Sequence, residues 1–183
     1  MRPDRAPCAV CNEPMQHTNN DALIAVTVDA PIGPLAVALR DGMLCGLRMG
    51  VGDVGTARKL DGKHAAIVDA LTHYFDGEVT AIDDIPVHAT GSPFQQRVWD
   101  ALRTIPVGET VSYAQLAATV GTPKASRAVG RANATNPVGI VVPCHRVVRA
   151  DGTLGGYGGG IERKRWLLAH ERAHSRRAGA LRV

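Results

Sequence analysis

The sequence predicts an α/β protein in two parts: a small amino-terminal α/β domain with an antiparallel sheet, then a mostly helical carboxy-terminal domain containing a helix-turn-helix. Three observations predict it. Before residue 50, short apolar, β-branched runs alternate with turn signals. After residue 90, two capping boxes, Ser92-Pro-Phe-Gln95 and Ser112-Tyr-Ala-Gln115, open helical patterns. The second helix stops at Gly121 and another pattern follows at once, the spacing of a helix-turn-helix. At 183 residues and 45% hydrophobic content, the chain can bury one sizeable core or two small ones.

Residues 1–20 lack periodicity and read as a flexible tail. The amino-terminal domain, residues 21–90, begins with strands at Ala22–Val28 and Leu35–Leu39 around Pro31-Ile-Gly-Pro34, and Asp41-Gly42 turns the chain into a third at Met43–Met49. Apolar residues Ile67, Leu71, Tyr74 and Phe75 recur at helical spacing in a helix ending near Gly77. A short run from Ile85 to Ala89 is expected to pair with the sheet, and Thr90-Gly91 reads as the joint to the second domain, residues 91–175. There, Ser92 caps a helix with Pro93 at its first position and Phe94, Val98 and Leu102 as its buried stripe. Tyr113–Val120 and Pro123–Ala134 form the helix-turn-helix. The second of these is crowded with small residues, which suits either close approach to a partner or tight packing in a core. Asn136-Pro137 breaks it, Val138–Val142 reads as a buried strand, and Ile161–Ala173 as a closing helix before a basic tail at 176–183.

Charge is divided unevenly. Residues 1–110 sum to −5 and residues 111–183 to +9, and between Val111 and Ala150 there are five basic residues and no acidic one. That distribution suits a polyanionic partner, or simply a solvated basic face. No stretch reaches the roughly 18 apolar residues of a membrane span, and the polar start lacks a secretory signal, so no membrane partner and a cytoplasmic address are expected. Four cysteines at uneven spacing, Cys8, Cys11, Cys45 and Cys144, are too few for a secreted disulfide framework.

A free cysteine needs thiolate character to act as a nucleophile, which cationic or hydrogen-bonding neighbours supply. Cys144-His145-Arg146 places both beside one thiol, with a bridging water as the simplest relay to the imidazole. Glu171, on the Leu167 face of the closing helix, is the candidate to orient His145. An inert buried thiol beside a core histidine is the structural alternative.

The pentapeptide Pro143-Cys-His-Arg-Val147 resembles the active-site segment of the O6-alkylguanine-DNA alkyltransferases. Gly108-Glu-Thr-Val-Ser-Tyr113, Lys124-Ala-Ser-Arg-Ala-Val-Gly130, Asn136-Pro137, Gly155-Gly-Tyr157 and Trp166-Leu-Leu-Ala-His-Glu171 resemble family segments in order and spacing. The resemblance is close from Pro93 to Glu171 and loose before it. It implies a DNA-repair protein that moves an alkyl group from O6-alkylguanine, with O4-alkylthymine a second candidate, irreversibly onto Cys144, once per molecule. His145 would take the thiol proton through water, Glu171 would hold the imidazole, and Tyr113 would protonate the leaving base. Double-stranded DNA would be bound through its minor groove by a monomer, without a cofactor.

The same resemblance implies a filling role for Arg127 when the damaged nucleotide leaves the stack, with Ser112, Ala125, Ser126, Gly130 and Arg131 at the DNA surface. Asn136 would be the hinge between recognition helix and active-site strand. Tyr157, Gly155, Gly156, Gly158, Gly159, Pro143, Val147 and Gly139 would form the substrate pocket. Each has a plainer reading: Tyr113 as a half-buried core tyrosine, Arg127 as a phosphate contact, Asn136 as a helix stop, the glycine run as a connector. Where this chain has Gly139, family members often carry a larger residue, proline in some, and a roomier pocket for alkyl groups larger than methyl is expected.

Cys8-x2-Cys11 has a metal-ligand spacing that Cys45, His17 or His88 could complete, but no second paired motif follows and no metal is assigned. Three other classes compete: a non-catalytic lesion-binding module, which Cys144 argues against; a cysteine hydrolase, which lacks a recognisable oxyanion arrangement; and a transcription factor.

Overall fold

The computed structural model describes residues 23–52, 54 and 60–180, the side chains of 176–180 excepted. Strands β1 (Ile24–Val28), β2 (Leu35–Arg40) and β3 (Met43–Met49) form an antiparallel meander in the order β1-β2-β3. Burial alternates along β2, where Leu35, Val37 and Leu39 face inward, as a half-covered sheet requires. In β3 the buried residues are Leu44 and Leu47, three apart, which strict alternation forbids. A bulge reconciles them: pairing passes from Ala38↔Gly46 to Leu39↔Leu44, so Cys45 is the extra residue and both leucines point into the core. The run ending at Ala89 meets this sheet through one parallel bridge, Leu44↔Val87.

Helix α1 (Gly62–Phe75) is capped by Asp61, whose carboxylate accepts from His64 N at 3.0 Å, and buries Ile67, Leu71 and Tyr74. Helix α2 (Pro93–Arg103) carries the expected capping box at Ser92 and Gln95. Its buried stripe differs from the expected one at one position. Phe94 is only half-buried, whereas Trp99 is buried and donates its indole N–H to Ala132 O at 2.9 Å. An indole satisfied in this way can enter a core that the apolar count alone would give to phenylalanine.

A short parallel pair, β4 (Val111–Ser112) with β5 (Val147–Val148), lies beside α3 (Tyr113–Thr119), which also starts with a full capping box, at Ser112 and Gln115. Helix α4 is Ser126–Ala134, starting three residues later than the expected Pro123. Thr122 explains this, because its amide and hydroxyl both point back to Ala117 O, at 2.8 and 3.5 Å, and cannot cap the next helix. Residues Thr122–Ala125 therefore turn first, with Ala125 N on Thr122 O.

Two further expectations are corrected. Val138–Val142 is a tight loop and no strand: buried Ile140 sits at φ +75, a left-handed conformation unusual for a β-branched residue, and reverses the chain so that Val142 N reaches Val138 O at 3.0 Å. The closing helix α5 runs Ile161–Ala180 and absorbs most of the expected basic tail, since residues 172–178 contain no helix breaker. Residues 1–20 and the Cys8–Cys11 pair lie outside the described residues. Among the described residues, no helix is long and apolar enough to cross a membrane.

Candidate active site

The Ile140 loop delivers the thiol. Asn136 spans the two limbs of that loop, donating from Nδ2 to Val142 O at 2.8 Å and accepting from Val138 N on Oδ1 at 3.0 Å. The chain then enters a short 3-10 turn, Cys144–Arg146, with Cys144 N on Val142 O at 2.8 Å. Three successive chemical side chains in a tight turn point in different directions, and the structure uses all three. Cys144 is 7% exposed at the end of a cavity of about 650 Å³, while His145 and Arg146 face the interior toward α5.

Glu171 is where the interior groups converge. Its Oε1 accepts from His145 Nε2 at 2.8 Å, Arg146 Nη2 at 2.9 Å and the Tyr74 hydroxyl at 3.0 Å. Its Oε2 accepts from Arg146 Nε at 2.9 Å and Gly108 N at 3.4 Å. Gly108 has φ +79, and a Cβ there would come within 2.5 Å of Ser175 Oγ, so the close approach of this amide depends on glycine. Burial by itself would raise the Glu171 carboxyl, but the hydrogen bonds and charges of His145 and Arg146 outweigh it and hold the carboxylate ionised far below its ordinary range.

Burial also depresses the basicity of His145, so its imidazole is neutral near pH 7. An ionised acceptor on Nε2 selects the tautomer with the proton there. Nδ1 is then a lone-pair nitrogen, and it meets no hydrogen-bonding partner among the described residues. Burial pushes the Cys144 thiol up, against the pull of a hydrogen bond from Asn136, the Lys164 cation and a hydrogen bond from Tyr157. The resting cysteine is therefore a thiol. The expectation that Arg146 provides the cation beside the sulfur is corrected: its guanidinium clamps Glu171 and Ile105 O, the latter at 2.6 Å, whereas Lys164 is the cation that acts on Cys144.

The cavity is lined by Tyr113, Gly130, Asn136, Gly139, Cys144, Gly156, Tyr157, Gly158 and Gly159 from the carboxy-terminal half, and by Leu47, Arg48, Met49 and Val51 from β3 and its end. Three expected pocket residues do not line it. Pro143 instead faces a cavity of about 240 Å³ beside Arg146, Val147 is buried in β5, and a Cβ on Gly155 would press against the Tyr113 hydroxyl at 3.1 Å. The room expected from Gly139 is also occupied, since a Cβ there would lie 3.1 Å from Met49 Cε. Arg127 and Arg131 stand apart from the thiol. They line an open groove of about 530 Å³ with Lys124, Ala125 and the start of α2. Cys45 and His88 belong to no group of three metal-ligating side chains among the described residues.

Tyr74, Lys164 and Met49 join the site without a motif that nominates them. Lys164 had a signal, because it shares a helical face with Leu167 and Glu171; it is wholly buried, donating from Nζ to Val147 O at 2.6 Å. Tyr74 had only its place in an apolar stripe, and Met49 had none.

The fold and site together define a class: a helix-turn-helix protein whose cleft ends on a buried thiol backed by a histidine and a carboxylate. Residues 93–173 match the family model described as 6-O-methylguanine DNA methyltransferase, DNA binding domain. A methylated-DNA–protein-cysteine methyltransferase from Mycolicibacterium paratuberculosis is 52% identical over 153 residues, covering 81% of this chain and 92% of that one. The fold is similar to a crystal structure of Mycobacterium tuberculosis O6-methylguanine methyltransferase, with TM-score 0.73 and 45% identity over 84% of this chain and 94% of the other. It is also similar to a crystal structure of M. tuberculosis OGT in complex with DNA, with TM-score 0.72 and 49% identity over 81% of this chain and 92% of that one. This chain belongs to the methylated-DNA–protein-cysteine methyltransferase family.

Proposed function

We propose that the protein repairs DNA by taking the alkyl group from O6 of guanine onto Cys144 Sγ, once per molecule. The observation that carries this reading is the array that follows the sulfur in the chain: a neutral His145 whose Nε2–H is held by ionised Glu171, leaving Nδ1 an unengaged base on the residue next to the thiol at the end of the cavity. Nδ1 receives the Cys144 proton through one bridging water, and the sulfur attacks the alkyl carbon in line with the C–O6 bond. As the C–S bond forms, the C–O6 bond breaks and the electron pair stays on the base. Tyr113 donates its hydroxyl proton to the guanine as this negative charge develops. Burial raises the phenol, so the proton stays on the oxygen until the base carries charge. The thioether product is not hydrolysed, which makes the transfer irreversible.

The target base must leave the helix to reach Cys144. Arg127 and Arg131 on the exposed edge of α4, with Ser112, Ala125, Ser126 and Gly130, are the residues we assign to duplex DNA, approached from the minor groove by a monomer. Arg127 fills the gap in the stack. Asn136 ties α4 to the cysteine loop, which supports its role as the hinge. Residues 91–175 act as the DNA-binding and active-site domain, with 21–90 closing one side of the cavity.

The test is an intact mass after mixing with a duplex carrying one O6-methylguanine. One added methylene equivalent, stoichiometric with restored guanine and absent in Cys144→Ser, is expected. Tight binding of the lesion without mass gain would overturn transfer in favour of a lesion-binding module.

A further inference from the structure

We propose that Met49, contributed by β3 of the amino-terminal sheet, is the residue that sets how large an alkyl group the Cys144 cavity accepts. The inference rests on the alkyl-transfer reading and assigns part of the cavity's selectivity to a residue some 95 positions away in sequence from the cysteine.

Gly139 and Gly159 both lack side chains beside the cavity, and the space they leave is filled by the same thioether. A Cβ on Gly159 would stand 2.7 Å from Met49 Sδ, and a Cβ on Gly139 would stand 3.1 Å from Met49 Cε. The first is closer than real Cβ atoms come, and the second would force the methyl to give way. Met49 is thus lodged between the Ile140 loop and the glycine run. Tyr157 links Met49 to the sulfur's cavity, since its hydroxyl donates to Met49 Sδ at 3.8 Å and it lines the same cavity as Cys144.

The backbone beneath Met49 is anchored while its side chain can move. Leu47 N donates to Pro137 O at 2.8 Å and pairs with Val138, which locks β3 to the segment carrying Gly139. Gly50 N is held by Pro34 O at 2.9 Å on the other side. Between these ties the half-buried Met49 side chain has three rotatable bonds, with the adaptability that a thioether brings to an irregular gap. A methyl group fits with Met49 in place. A benzyl group needs Met49 to swing out of the space between the two glycines, so the glycine at 139 gives room only to the extent that Met49 surrenders it.

The measurement is the rate of Cys144 alkylation from duplexes carrying O6-methylguanine or O6-benzylguanine, expressed as the benzyl-to-methyl ratio. Met49→Ala is expected to raise this ratio at least roughly tenfold, the lower end of what a single methylene makes in a hydrophobic pocket. Met49→Ile, similar in volume but stiff at χ1, is expected to lower it. Gly139→Ala should depress both rates, and adding Met49→Ala should relieve that loss. A ratio unchanged in both Met49 variants, each with a native unfolding transition, would overturn the proposal. So would a Gly139→Ala defect that persists with Met49→Ala. Failure of the wild-type protein to take methyl from O6-methylguanine would instead strike the alkyl-transfer reading itself.

Discussion

The interior around Glu171 and helix α4 both bond the segment that carries the cysteine, and the former and the outer edge of the latter are built on opposite principles. Around Glu171 a carboxylate, a guanidinium, an imidazole and a phenol are all buried, and nearly every polar atom has a named partner. Along α4 the cations Arg127 and Arg131 are exposed, and the helix carries alanines and a glycine around them. Charge compensation makes the first region rigid, because removing one buried partner strands the others. The second region is defined by what it lacks, and its substitutions should cost recognition and leave the fold intact.

The sharpest break in that comparison is Cys144→Ser, which is expected to abolish mass gain from alkylated DNA while lesion binding persists. Glu171→Gln comes next. It keeps the volume but leaves the Arg146 cation without its carboxylate, and a loss of about 3–5 kcal/mol in chemical denaturation is expected, with transfer also slowed. An equally stable variant would mean that the interior array is not held together by charge.

Acid tests the same region without mutation. Glu171 is held below the ordinary carboxylate range and His145 below its usual value of about 6.5, so in both cases the unfolded chain binds protons more readily than the folded one. Stability contributed by His145 is complete above that value and declines as pH falls through it. The Glu171 contribution is lost in turn as pH falls below the carboxylate range of the unfolded chain. A melting temperature that did not decrease from pH 7 to pH 5 would contradict the neutral, buried state of His145.

Tyr74→Phe removes one of the three donors on Glu171 Oε1 and leaves the ring packing. It is expected to cost about 1–2 kcal/mol in denaturant midpoints, since a hydrogen bond to a charged group is lost inside the core. Arg127→Ala should change stability by no more than about 0.5 kcal/mol while weakening transfer from duplex DNA, read from binding isotherms and single-turnover rates together. Loss of folding in that variant would place Arg127 in the wrong category.

Much of the frame was legible without coordinates because it depends on local rules. Asp41-Gly42, the capping boxes at Ser92 and Ser112, and the stripe Ile67, Leu71 and Tyr74 act within one turn or one hairpin, where backbone preference and periodicity decide. The pentapeptide around Cys144 and the position of Glu171 could likewise be singled out, because residue type and helical face are enough to nominate them. The start of α4 departs from the sequence pattern because Thr122 is engaged by Ala117 of the preceding helix. The run after Asn136 is ambiguous in sequence because its apolar content is the same whether the chain is extended or reversed at Ile140.

What only the tertiary structure decided are the meetings between distant segments. Arg146 turns from the sulfur to Glu171, Tyr74 comes from α1 to the same carboxylate, Lys164 supplies the cation that Arg146 does not, and Met49 fills the space left by Gly139. Adjacent side chains in a 3-10 turn diverge, and the partner each one finds depends on which helix or strand packs behind it. Periodicity and motif therefore determine which residues are available for chemistry, while long-range packing determines which of them touch.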